Sequence, residues 1–137
     1  EKIENYLKAA GMAAETTASG LRYIMKEQGT GTQAAAGKTV RVNYTGKLMD
    51  GTVFDSSIEE DAKAGGVYNA NRPYEPLEFP LGQGRVIKGW DEGIALFKEG
   101  GKGTLLIPSP LAYGSRSMGT IPSNAVLIFD IELVEVK

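Results

Sequence analysis

Between residues 127 and 133, Leu127, Phe129, Ile131 and Leu133 fall on one side of an extended chain, with Asp130 and Glu132 on the other. That is the period-2 signature of a half-buried strand, and it is the clearest such run in the sequence. The same alternation sets Leu21, Tyr23 and Met25 against Arg22, Ile24 and Lys26. It sets Val40, Val42 and Tyr44 against Arg41, Asn43 and Thr45, in a strand running to about Leu48. Asp50-Gly51 then signals a hairpin, so residues 52–55 should return antiparallel beside it. Residues 77–81 read as a short apolar strand that Pro80 confines to an edge or bulge, and residues 104–107 as one stopped by Pro108.

Helical spacing appears twice. Trp90, Ile94 and Phe97 lie on one face of a helix over about residues 87–97, which follows the turn Gly82-Gln83-Gly84 and ends before Gly100-Gly101. Residues 1–14 place Ile3, Tyr6, Leu7 and Ala10 on one face of a short amphipathic helix. This helix either docks on its own domain or is the stump of a spacer through which two chains dimerise. Thr16-Thr17-Ala18-Ser19-Gly20 breaks its pattern. The expectation is an α+β protein: a twisted antiparallel β-sheet wrapped around one short central helix, with an additional short N-terminal helix. Residues 1–19 form the helix and linker, and 20–137 the domain, with an extended irregular loop at 58–76. Loops of that length are often functional.

Composition changes this picture by exclusion. The chain has no Cys and no His, which removes thiolate catalysis, histidine triads, the usual zinc ligand sets and the commonest neutral-pH base. No cofactor or metal is expected, and an enzyme on this chain should need neither a nucleophile nor a proton shuttle. A net charge of −2 supplies no basic excess for nucleic acid. No apolar run approaches a membrane span, so no direct membrane insertion is expected. The chain begins at Glu1 rather than Met, as expected of a trimmed or processed form that has lost a signal peptide or lipid-anchor segment.

Two apparent motifs fail. Gly37-Lys38-Thr39 lacks the upstream glycine of a phosphate loop, since position 32 is Thr32, and it precedes a strand rather than a helix. Glu59-Glu60-Asp61 lacks the alternating ladder and central glycine of a calcium loop, and reads as a solvated loop face.

Trp90, the single tryptophan, sits in Val86-Ile87-Lys88-Gly89-Trp90-Asp91-Glu92-Gly93. By itself it could be packing or the flat floor of an apolar cavity. It shares the chain with Val42-Asn43-Tyr44-Thr45-Gly46, Gly51-Thr52-Val53-Phe54-Asp55-Ser56-Ser57, Ala112-Tyr113-Gly114 and Phe129-Asp130-Ile131-Glu132-Leu133. Together these segments, spread over about residues 20–136, resemble the FKBP family of peptidyl-prolyl cis–trans isomerases.

The resemblance implies a shallow apolar pocket for a proline ring, lined by Tyr44, Phe54, Asp55, Leu77, Val86, Ile87, Trp90, Tyr113, Ile121 and Phe129. Trp90 would be its floor and Tyr44, Phe54 and Phe129 its walls. The Ile87 N–H and the Tyr113 hydroxyl would donate to substrate carbonyls, and Asp55 would supply the carboxylate at the edge. The residues named as catalytic are Asp55, Tyr113, Tyr44, Phe54, Trp90 and Phe129. Asp55 also has a second reading, as a turn residue bonding local backbone.

Partners on this reading are proline-containing polypeptides, with an apolar residue before the proline preferred, and macrolide inhibitors such as tacrolimus and rapamycin. Leu77, where many relatives have an aromatic, makes macrolide binding the weaker expectation. The 58–76 loop is a surface insertion, or else it brings Tyr68, Arg72 or Tyr74 to the bound peptide. Met118 and Thr120 depart from the family at the rim. The alternative function is a chaperone or binding module on the same scaffold. The N-terminal helix followed by Thr17-Ala18-Ser19-Gly20-Leu21 is similar to exported bacterial members. It points to the periplasm or the outer membrane of a Gram-negative bacterium, with the cytoplasm as alternative.

Overall fold

The computed structural model of the chain describes residues 2–11, 14–71, 73–114, 121–122 and 124–137. In chain order its elements are α1 (Lys2–Ala10), β1 (Glu15–Thr16), β2 (Arg22–Glu27), β3 (Thr39–Leu48), β4 (Val53–Ser56), α2 (Glu59–Ala64), β5 (Leu77–Pro80), α3 (Lys88–Ile94), β6 (Lys102–Ile107) and β7 (Leu127–Val136). The strands form one 7-stranded sheet in the order β1-β2-β6-β7-β3-β4, with β5 also paired to β3. All its pairings are antiparallel. The sheet is thus the expected one, widened by β1, which the sequence hid inside a polar linker.

The concave face of the sheet holds the core. Leu127, Phe129, Ile131 and Leu133 of β7 join Val40, Val42 and Tyr44 of β3, as their alternation requires, around Trp90, Ile94 and Phe97. The helix α3 is shorter than its apolar pattern suggested. Beyond Ile94 the chain tightens into bonds from Leu96 N–H to Gly93 and from Phe97 N–H to Ile94, the i→i−3 closure common at helix ends. The Ala95 and Phe97 carbonyls accept from the Gln33 side-chain amide, each at 2.9 Å, and Phe97 also from the Ala34 N–H. Gly89 and Gly93 cost helix propensity but bring α3 down onto β6. A Cβ at Gly89 would lie 2.5 Å from Ile107, and one at Gly93 2.8 Å from Leu105.

The outer face is closed in part by α1. Leu7 packs with Leu106 and Ile128 in a second cluster, flanked by Tyr6, Ile24 and Val126. The helix therefore docks on its own domain. Ile3 and Ala10, the other residues of its expected apolar face, have side chains outside the described set.

Residues 58–76 are not structureless. The helix α2 opens with Glu59, Glu60 and Asp61, has no side-chain cap, and buries only Ala62. Acidic residues in a first turn suit the helix dipole, and Lys63 bridges back to Glu59 at 3.1 Å. That carboxylate raises the Lys63 pKa above its ordinary value. Tyr68 and Tyr74 stack with centroids 5.6 Å apart, and Lys63 sits over the Tyr68 ring. At the β3–β4 hairpin, Gly51 takes the left-handed conformation (φ 93°). The Thr52 N–H donates to Asp50 Oδ1 at 2.8 Å, which lowers that carboxyl's pKa.

Candidate active site

Four strands and one helix build the site. In β3, Gly46 lies opposite Asp55 of β4 on one side and Phe129 of β7 on the other. The missing side chain of Gly46 is what lets those neighbours close over the strand. A Cβ there would lie 2.6 Å from Phe54 and 2.7 Å from Phe129. The Phe54 and Phe129 rings meet edge to face with centroids 5.5 Å apart. Two residues earlier, Tyr44 meets Trp90 at 5.0 Å, and Trp90 meets Phe129 at 5.1 Å, both nearly perpendicular. Edge-to-face contacts of this kind favour fixed ring positions beyond simple area burial.

These rings enclose a cavity of about 240 Å³ lined by Tyr44, Phe54, Asp55, Leu77, Arg85, Val86, Ile87, Trp90, Tyr113, Ile121 and Phe129. Every residue expected in the pocket from the sequence is in this set. The sequence reasoning missed one member, Arg85. It has no helical or strand pattern to mark it, and the only signal was its position immediately before Val86-Ile87, at the exit of a glycine turn.

Trp90 is 4% exposed. Its indole N–H is buried with no hydrogen-bond partner among the described residues. The polar groups of the cavity divide into occupied and open. Asp55 accepts from the Tyr44 hydroxyl at 2.5 Å through Oδ2 and from the Ser56 N–H at 2.9 Å through Oδ1. One oxygen thus bonds the local backbone, as the turn reading expects, while the other bonds a ring of the cavity wall. The Tyr113 hydroxyl, by contrast, makes no hydrogen bond among the described residues. The Ile87 N–H, at the N-cap of α3, likewise has no acceptor among them. Asp91 fixes the approach to Ile87: its carboxylate accepts from the N–H groups of Gly82 and Gly84 at 2.8 and 3.2 Å.

No described residue of 58–76 lines this cavity. Tyr68 and Tyr74 are turned to each other instead. Arg72, Met118 and Thr120 lie outside the described residues. Leu77 is 39% exposed, leaving one wall open. Among the described residues, no group of three or more carboxylates converges as a metal site.

The cavity combines an aromatic floor and walls with hydrogen-bond donors that have no partner among the described residues. The model of the FKBP-type peptidyl-prolyl cis-trans isomerase family matches residues 30–134, and the chain belongs to that family. It is 42% identical to the FKBP-type peptidyl-prolyl cis-trans isomerase FkpA of Aeromonas hydrophila, covering 100% of this chain and 46% of that protein. It is 46% identical to an FK506-binding protein of Neisseria meningitidis serogroup A, over 80% of this chain and 90% of that one. The crystal structure of FkpA from Escherichia coli superposes with a TM-score of 0.78 at 40% identity, covering 98% of this chain and 57% of that one. The chain spans about half the length of the Aeromonas relative. No helix among the described residues is long and apolar enough to cross a membrane.

Proposed function

We propose that this chain accelerates rotation about Xaa–Pro bonds in polypeptides, with the proline ring seated on Trp90 between Tyr44, Phe54 and Phe129. One observation carries the reading: an apolar cavity of about 240 Å³ in which the Tyr113 hydroxyl and the Ile87 N–H have no partner among the described residues.

The physics needs no proton transfer. The uncatalysed bond rotates over a barrier of about 18–20 kcal/mol, taking tens to hundreds of seconds. At the twisted transition state amide resonance is lost and the bond's dipole shrinks, so an apolar enclosure disfavours the planar ground state more than the twisted one. Tyr113 and Ile87 hold the flanking carbonyls while the imide turns between them, and Asp55 fixes the Tyr44 ring that forms the wall. Lowering the barrier by about 5 kcal/mol gives several thousand-fold acceleration.

The test is the relaxation rate of a cis-enriched Leu-Pro peptide with and without the protein. Acceleration that saturates with peptide supports the reading, and a folded protein with no effect removes it. In that case the chaperone or binding-module reading takes over. That second reading would be favoured if residues 58–76 covered the cavity, and no described residue of that segment lines it.

Residues 20–137 form the isomerase unit on this reading, with 1–19 as an added helix and linker. A dimer through α1 would have to use the side away from Leu7, which is already buried on the sheet. The name of the Neisseria relative, an FK506-binding protein, supports tacrolimus (FK506) as a ligand, although open, aliphatic Leu77 gives a macrolide less wall than an aromatic would. We place the protein in the periplasm of a Gram-negative bacterium, free or anchored at the outer membrane. Its likeness to FkpA proteins of Aeromonas and Escherichia supports this, and fractionation of cells expressing the full-length protein tests it.

A further inference from the structure

Two charged side chains line the cavity, and they differ in what they are bonded to. Asp55 is engaged by the Tyr44 hydroxyl and the Ser56 N–H. Arg85 is exposed, at the exit of the 82–84 turn, and has no hydrogen bond or ion pair among the described residues. The carboxylate nearest to it in sequence, Asp91, is taken up by the Gly82 and Gly84 N–H groups and forms no ion pair with it. Lys88, three residues on and also exposed, adds charge of the same sign. The rim of the cavity therefore carries a guanidinium to which no carboxylate is bonded among the described residues.

We propose that Arg85 is a specificity-determining residue that favours proline segments carrying a carboxylate side chain beside the proline over those carrying an ammonium. The inference rests on the isomerase reading insofar as it seats a proline segment in this cavity. A guanidinium presents a planar fork of donors matched to a carboxylate, whereas a lysine placed there meets like charge. Because Arg85 is exposed, the effect is a graded preference that salt screens, not an absolute requirement. An arginine side chain is long and flexible, so positions on both sides of the proline must be examined.

The experiment uses peptides with Glu, Leu or Lys immediately before the proline, and a second set with the same residues immediately after it. Each is measured for isomerisation kcat/KM and for affinity by Trp90 fluorescence, with the unaltered protein, Arg85→Gln and Arg85→Glu. At low salt the unaltered protein should prefer Glu over Lys by about three- to tenfold in at least one set. The preference should shrink as the Debye length falls, vanish in Arg85→Gln and invert in Arg85→Glu. A Glu-to-Lys ratio near one in both sets, or a ratio that both variants retain, overturns the proposal. The Leu peptides separate the two claims. If they are accelerated while the ratio ignores Arg85, this inference fails alone. If they are not accelerated, the isomerase reading fails, and the fluorescence affinities still decide the role of Arg85 by the same ratios.

Discussion

Two of the hollows among the described residues lie on opposite faces of one sheet, and the proposed chemistry belongs to the smaller. The outer groove, about 730 Å³, is lined by polar residues of β3, β6 and β7 such as Asn43, Thr45, Lys47, Lys102, Asp130 and Glu132, together with Asp61 and Ala64 of α2. Several of its polar groups are already bonded within the protein. Asp61 accepts from Thr45, Asp130 from Thr104, and Asn43 from Ser57. The concave cavity is a third of that size, walled by rings, and leaves donors open. The outer groove has no aromatic ring in its lining to seat a proline, whereas the smaller cavity is walled by rings. Along β3 the two differ by a single step in register, Tyr44 facing one and Thr45 the other, as pleating requires.

Four substitutions break or sharpen this contrast. Trp90→Ala removes the floor and should have the largest effect. Stability should fall by about 3–5 kcal/mol and Leu-Pro isomerisation by at least about a hundredfold; unchanged turnover in the folded variant would take Trp90 out of the site. Gly46→Ala should come next, because its Cβ would lie 2.6 Å from Phe54. Pushing Phe54 and Phe129 apart should cost about 1–3 kcal/mol and raise KM, both readable from denaturant melts and peptide kinetics. Asp55→Ala should lower turnover about tenfold with a stability loss no more than about 2 kcal/mol. A large drop in melting temperature with intact turnover would assign Asp55 to the turn alone. Lys102→Ala, in the outer groove, should leave isomerisation unchanged and stability within about 0.5 kcal/mol.

What could be read from the sequence follows the same divide. The strands of the concave face announce themselves because one side of each is buried, and burial writes a period of two. The rings of the cavity were legible only jointly, since Tyr44, Phe54, Trp90 and Phe129 taken singly are indistinguishable from core. Where structure rests on little burial, the sequence was mute. The helix α2 buries only Ala62 and lacks a side-chain cap, so no periodicity marks it; the close approach of Gly65, just past its end, to Val53, the Thr45 bond to Asp61 and the Glu59–Lys63 pair hold it. The two-residue strand β1 is exposed throughout and exists only through pairing with β2. Arg85 was invisible for the same reason: an exposed charge obeys no pattern, and only the fold shows that it stands at the cavity rim.

The most direct test maps where a proline peptide binds, by following backbone amides and the single Trp90 indole N–H in NMR spectra as a Phe-Pro peptide is added. Shifts should concentrate at Ile87, Trp90, Tyr113 and Phe129, with the indole signal among the largest, while Lys47, Lys102 and Glu132 stay still. Shifts confined to the outer groove, with the indole unmoved, would contradict the assignment of the isomerase site to the concave cavity.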